Sequence, residues 1–469
     1  MKPQFWRSTC FSQSAPDNET LSRWQRFKQR ITENRILSHL PKVLSALFAL
    51  ALMSAQAANA TNFYVSKSGN NADGLTWQTA WNELAQVNWS KVTSASTIYI
   101  DGGPSGMSYY TTLTDDATTG SSASQVQILQ SSESGHNGKV TITGGGWGVG
   151  VKGYGIWLKG VSNVQVQGNN LVFPGNTGGL EITGEPNSGV YIGNCSSCGL
   201  FNVDIHNCSN TGLNLVLGGN TQACSFQNVQ IHDNYLNLLG QAGPVNPYVI
   251  STFTSCAFYS SSPPSNGHGG TNLSSGHFNF NYCAFGPYGD IALPGGSQGA
   301  APGSNCTASF NQTLFVQPSN YAVYVGGYGN SVSMNEATSF MTALTPGGYA
   351  RDFLWQPTAG NNNVLSVNNS TVYGGAVAVP TGTVLSSNNS NWQFITTGNT
   401  MALGTNIGNP TTQQPLVTNV SGYGNSTPVS TLLATNFSAA STAPTPRYNS
   451  SWLFQTINLL LQWGIQTAG

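Results

Sequence analysis

Two phrases 26 residues apart constrain this chain more than any other feature: "LFNVDIHNCSNTGLNLV" from Leu200 and "FQNVQIHDNYLNLLG" from Phe226. Each reads V-x-I-H, a corner rich in Asn and Asp, and then L-N-L. Aligning apolar, x, x, apolar, x, apolar extends the repeat. Leu200/Val203/Ile205 is followed by Phe226/Val229/Ile231, Phe253/Cys256/Phe258, Phe280/Cys283/Phe285 and Phe310/Thr313/Phe315. Successive first positions are 26, 27, 27 and 30 residues apart, and Val161/Val164/Val166 forms a related line before them. Self-similarity this regular is the signature of a solenoid.

The local period says which solenoid. Val203-Asp204-Ile205 and Val229-Gln230-Ile231 alternate, as strands with one buried face do. A second short alternation follows each, as in "GLNLVL" (212–217), "DIALP" (290–294), "YAVYV" (321–325) and "GAVAV" (375–379). No stretch of the repeat carries a helical apolar stripe. Two or three strands and no helix in each repeat describe one turn of a parallel β-helix, each strand stacked about 4.8 Å above its counterpart. Cys256 over Cys283 then belongs to an interior ladder, with a disulfide between them as the other reading.

Composition agrees. Only 7% of residues are charged while 39% are hydrophobic, which excludes a disordered chain and long solvated helices. Residues 1–60 stand apart: eight Lys/Arg precede "VLSALFALALM" (43–53) and "SAQAANA" (54–60). A basic lead, a short apolar run and an Ala-x-Ala ending read as a secretory leader, cut after Ala60. The apolar run is 11 residues, short of the ~20 needed to span a bilayer. Without the leader, seven basic residues face thirteen acidic ones, a net of −6, so nucleic acid is not an expected partner. Seven cysteines remain, an odd number, and Cys195-Ser-Ser-Cys198 reads as a local disulfide or a redox or metal pair.

The solenoid ends need covers. Residues 61–95 form the N-terminal cap, with Thr79 before a short helix bearing Trp81 and Leu84 in "GLTWQTAWNELAQV" (74–87). Coils occupy 96–380, and 381–449 reads as irregular last coils or a side strap. The stripe Leu453, Ile457, Leu460, Leu461 and Gly464 makes 450–469 a closing amphipathic helix.

"NFYVSKSGNNADGLTWQTAWNEL" (62–84) followed by "STIYIDGG" (96–103) resembles the opening segment of secreted bacterial right-handed parallel β-helix proteins of the pectin-lyase-like superfamily. The resemblance covers roughly 62–380. It implies an all-β, right-handed parallel β-helix in an extracytoplasmic, carbohydrate-related setting, with a polysaccharide or cell-surface glycan as partner. It leaves the reaction open, since one fold hosts many functions.

Strand parity places the chemistry. With Val203 and Ile205 inward, Asp204 and His206 point outward, and Gln230 and His232 lie beside them one coil later. Asp233 follows at the corner, and the next coil offers Tyr259. Four of the five histidines beyond the leader fall within 206–277. The expected catalytic set is Asp204, His206, His232 and Asp233, a histidine beside a carboxylate being suited to proton abstraction or activation of water. Glu181, in "GLEITG", is a further carboxylate for a glycoside-hydrolysis geometry. Gln230, Tyr259, His268, Trp147 and Tyr154 are the expected substrate contacts. The opposing reading is a polar ladder that only satisfies backbone groups.

Family patterns are mostly missing. Polygalacturonases combine N-T-D, D-D, G-H-G and R-I-K; this chain has Gly267-His268-Gly269 but neither N-T-D nor R-I-K, and Asp115-Asp116 precedes the repeats. No Lys or Arg falls within 200–315, against a lyase with a Lys or Arg base; the cofactor is left open, calcium being possible with no clear site. The expected function is a lyase, epimerase or hydrolase acting on an extracellular polysaccharide; the alternative is a non-catalytic surface or matrix protein.

Overall fold

The computed structural model describes residues 60–120, 122–143, 153–169, 179–218, 223–242, 250–261, 270–286, 291–293, 306–316, 321–325, 329–335, 337–340, 351–355, 364–368, 371–379, 384–388, 391–397 and 402–403. Trp147, His268, residues 1–59 and the segment 450–469 lie outside them. Among the described residues, no helix is long and apolar enough to cross a membrane.

The chain winds as a right-handed parallel β-helix with three strands per coil. One coil shows the plan. Ser225–Gln227 lies on face I, Gln230–His232 on face II and Leu236–Ala242 on face III. Each pairs in parallel with its equivalents before and after, as Leu200↔Phe226↔Phe253 does on face I and Ile205↔Ile231↔Phe258 on face II. Face I alone joins thirteen strands, from Asn62–Val65 to Ala402–Leu403.

Stacking like on like makes the core. Phe226, Phe253, Phe280 and Phe310 form one inward column with ring centroids 4.5, 4.9 and 5.1 Å apart. Phe258, Phe285 and Phe315 form a second, 4.7 and 5.2 Å apart, meeting the first edge-to-face. Offset stacks and T-shaped contacts are the arrangements aromatic quadrupoles favour.

The cysteines follow the same logic. Cys256 Sγ lies 3.5 Å from the Phe226 carbonyl, Cys283 Sγ 3.5 Å from that of Phe253, and Thr313 Oγ1 donates over 3.0 Å to that of Phe280. In these three coils a small donor serves the carbonyl of the coil before, which is why Cys and Thr interchange there, whereas Val203 and Val229 fill the column in the coils before them. All seven described cysteines are buried and outside any disulfide, Cys195 and Cys198 included.

The corner between faces I and II needs one left-handed residue per coil. Asn202, Asn228, Ser255, Tyr282 and Gln312 hold it at φ 54, 54, 53, 55 and 48°. Short polar side chains tolerate this region; a bulky ring does not, and the left-handed conformation costs roughly 1–2 kcal/mol in an L-residue. An asparagine ladder braces the same edge, Asn335 Nδ2 donating to Asn311 and Asn311 Nδ2 to Asn281, both over 2.8 Å. Replacing Tyr282, 39% exposed, with Asn is expected to raise stability by about 1 kcal/mol. A lower urea midpoint would mean that the ring's contacts outweigh its backbone strain.

Two local readings change. The cap segment holds no α-helix. Trp81 donates its N–H to the Tyr64 carbonyl and accepts from Ser66 N, forming a bridge to Val65, and only Leu84–Gln86 make a 3₁₀ turn. Backbone groups engaged with a strand are not available to a helix. The line Val161/Val164/Val166 does not stack under Leu200/Val203/Ile205. Val166 pairs with Leu200, whereas Leu180 and Ile182 lie beside Val203 and Ile205, because residues 168–179 separate faces I and II in that coil. Beyond 380, strands pair on through Val384–Asn388, Asn391–Thr397 and Ala402–Leu403, within the segment read as irregular last coils or a side strap.

Candidate functional site

Face II turns its outward slots into a staircase. Glu181, Asp204 and Gln230 occupy one register column; Thr183, His206, His232 and Tyr259 occupy the next. Each ring reaches diagonally to the acceptor one coil earlier. His206 Nε2 lies 3.0 Å from Glu181 Oε1, and His232 Nε2 lies 3.1 Å from Asp204 Oδ1. Tyr259 Oη donates to Gln230 Oε1 over 3.3 Å. The rings stack on each other, His206 on His232 at 4.9 Å and His232 on Tyr259 at 4.5 Å, within 10° of parallel.

The expected residues Asp204, His206, Gln230, His232 and Tyr259 are therefore brought together, but the pairing differs from a histidine beside its own strand's aspartate. His206 is held by Glu181, and Asp204 belongs to His232. Asp204 points away from the core yet is only 5% exposed, because the next coil's ring covers it.

Asp233 sits at the following corner with φ 53° and closes the other side of His232, its Oδ2 2.7 Å from Nδ1. Its Oδ1 accepts from Ser261 N and Oγ at 2.6 and 2.7 Å. Burial disfavours the charged form of each group, but the contacts win. Hydrogen bonds to Asp204 and Asp233 raise His232 to about 9, and those from His232 and Ser261 bring Asp233 down to about 2. His232 is thus an imidazolium clamped between two carboxylates.

The stability consequence has a sign. A histidine raised from 6.5 to about 9 contributes fully below pH 6.5 and loses that contribution as pH rises to about 9. The whole shift corresponds to roughly 3 kcal/mol. Asp233, lowered from 3.8 to about 2, acts oppositely: its contribution holds above pH 3.8 and fades as pH falls toward 2. Asp204→Asn is expected to lower stability by about 1.5–3 kcal/mol near pH 6 and to flatten the decline between pH 6.5 and 9. Urea midpoints of both proteins across that range check it; parallel curves would contradict the clamp.

At the other end of the staircase Glu181 gathers three donors. Besides His206, Lys139 Nζ reaches Oε1 at 2.8 Å and Thr141 Oγ1 reaches Oε2 at 2.9 Å. Burial works to raise this carboxyl, yet the bonds from His206, Lys139 and Thr141 bring it down to about 2. An ionised carboxylate only accepts, so His206 carries its proton on Nε2. Nδ1 then accepts from Asn207 Nδ2 at 2.7 Å, with Thr183 Oγ1 at 3.2 Å. Asn207 is exposed, so this nitrogen faces the accessible rim.

Glu181, Asp204 and His206 offer ligand atoms within 4.8 Å of one another, a spacing a divalent cation could use. Those atoms already serve Lys139 and the histidines, so an ion there has to displace the ammonium.

Tyr154 does not join the strip. It lies on face III with Trp157 and Tyr191, whose rings stack at 4.0 Å, and its hydroxyl accepts from Asn187 Nδ2. Asp115 and Asp116 are likewise no surface pair. Asp115 points inward, where burial raises it to about 7, while Asp116 Oδ2 accepts from Trp157 Nε1.

Sequence reading missed Lys139, Thr141 and the partnership of Glu181 with His206. The misplaced Val161 line explains it: aligning Leu180 and Ile182 with Val203 and Ile205 instead puts Glu181 in the column of Asp204.

No family model and no curated protein matches the chain. Solved structures do. A pectate lyase, Pel9A, is 13% identical with a TM-score of 0.44, over 85% of this chain and 91% of that one. A pectin methylesterase from Aspergillus niger is 10% identical with a TM-score of 0.30, over 68% and 87%. A GH136 lacto-N-biosidase from Eubacterium ramulus is 10% identical with a TM-score of 0.31, over 83% and 74%. The parallel β-helix itself is read from the register of this chain's own stacked strands.

Proposed function

We propose that the protein acts on an extracellular polysaccharide as a lyase, epimerase or hydrolase, with the Glu181–His206 pair as its proton-transfer centre. The observation that carries this reading is the oriented imidazole. Its Nε2–H is fixed by an ionised carboxylate, and its Nδ1 lone pair is directed to the exposed corner. A water or a sugar C–H that displaces Asn207 there meets a base already held in the right tautomer. Lys139 sets a cation beside the pair, able to neutralise a substrate carboxylate as charge develops. The imidazolium of His232 anchors the stack one coil on; with a carboxylate on each nitrogen it keeps both protons and is not the base.

The saturation of His232 and the burial of Asp204 favour a second reading, a non-catalytic protein that binds glycan or serves as a rod. Purified protein incubated with polygalacturonate, alginate, xylan and β-glucan separates the two. New double bonds read by ultraviolet absorbance, new reducing ends, or, for an epimerase, deuterium taken up at C5 from heavy water are expected on at least one polymer. Retention of a polymer without turnover of any would establish the non-catalytic reading.

A further inference from the structure

Face I carries no Asp, Glu, Lys or Arg in any of its thirteen strands. Face II holds the Glu181–Asp204 column, and face III carries Asp116 opposite Lys159. In a chain with 31 such residues, a complete gap along a thirteen-stranded sheet marks a surface of distinct chemistry.

The coils from 250 onward fill the gap with hydroxyls and amides. Thr252, Asn279, Ser309, Ser333 and Ser366 stand in register in one outward column beside the asparagine ladder. Ser333 Oγ donates to Ser309 Oγ over 2.8 Å, so the column is ordered along the axis while each oxygen keeps capacity outward. The sheet repeats these groups about every 4.8 Å on a surface of fixed backbone. His277, the imidazole on this face, is shifted down by burial, which disfavours its charged form.

Tyr282 stands at the edge of this surface, an exposed ring in a left-handed slot that its neighbours fill with Asn, Ser and Gln. Strain retained for an exposed aromatic is a sign of use. Flat rings beside fixed hydrogen-bonding groups are what a sugar ring meets when it stacks by its C–H face and bonds by its hydroxyls.

We propose that face I, between Thr252 and Ser366, docks an extended, uncharged polysaccharide running along the solenoid axis, with Tyr282 stacking on one of its sugars. Charge selects this occupant: an acidic polymer finds no cation here, and a neutral one leaves no charge to desolvate. A second copy of the chain fits less well, since homodimer interfaces are rich in apolar surface and this one is lined with hydroxyls and amides.

The test is affinity electrophoresis of the full chain in gels containing β-glucan, xylan or galactomannan, with polygalacturonate as the charged comparison. At least one neutral polymer is expected to retard the protein, and polygalacturonate to retard it less. The double variant Ser309→Glu/Ser333→Glu is expected to weaken that retardation by about tenfold or more, 1.4 kcal/mol at the least. Tyr282→Asn is expected to weaken it several-fold while raising thermal stability, a combination that misfolding does not produce. Retardation by no neutral polymer, equal retardation by polygalacturonate, or a double variant that binds as the parent does would overturn the proposal. So would a double variant that only changes sedimentation from dimer to monomer, which assigns the face to self-contact. The inference stands apart from the acid–base reading: turnover of short oligosaccharides on face II is unaffected by its failure, and absent turnover leaves the retardation as it was.

Discussion

His206→Ala is expected to lower turnover of whichever polysaccharide the protein cleaves by about 10²–10⁴-fold, the usual contribution of a positioned acid–base group. The loss is expected in kcat, since the ring acts on the proton in flight more than on substrate binding. Glu181→Gln is expected to fall between parent and His206→Ala. The amide keeps a hydrogen-bond acceptor near Nε2 but removes the charge that fixes the tautomer and offsets Lys139. Full activity in His206→Ala would remove the proposed centre. Asp233→Asn separates chemistry from scaffolding, since Asp233 touches His232 and Ser261 and not His206. It is expected to reduce stability and leave kcat near the parent's.

Phe280→Ala is expected to cost about 3–5 kcal/mol. The ring is fully buried and touches four others: Phe253 and Phe310 along its column, Phe258 and Phe285 across it. Removing it leaves a void that a solenoid closes poorly, because strand spacing is fixed by the backbone ladder and the coils cannot draw together. Coupling in a repeat array passes mainly between neighbours. The same change is therefore expected to split urea unfolding into two transitions, one on each side of coil 276–285, read by circular dichroism and tyrosine fluorescence. A midpoint within about 1 kcal/mol of the parent would show that the aromatic columns are not what holds adjacent coils together.

Much of the fold was legible in the residues because a solenoid writes its period into the chain. The phenylalanine columns are Phe226, Phe253, Phe280 and Phe310 repeated at nearly constant interval, and they pair in the expected register. The opposite held where an insertion broke the interval. Between Gln167 and Leu180 the count from face I to face II changes, and the alignment slipped at that coil. The cap failed for another reason. Trp81 and Leu84 have a helical spacing, but pairing with Val65 satisfied the backbone of Trp81 first.

What the sequence determined by itself is the winding and the direction each side chain faces: alternation sends Val203 and Ile205 in, His206 out, and recurrence every coil makes His206 and His232 neighbours. Only the tertiary structure decided who bonds to whom. Stacked rings lean along the axis, so each reaches the acceptor one coil back, and His206 meets Glu181 while Asp204 is left to His232. That offset depends on side-chain direction between adjacent coils, a contact across 25 residues for His206 and 28 for His232 that no local spacing encodes.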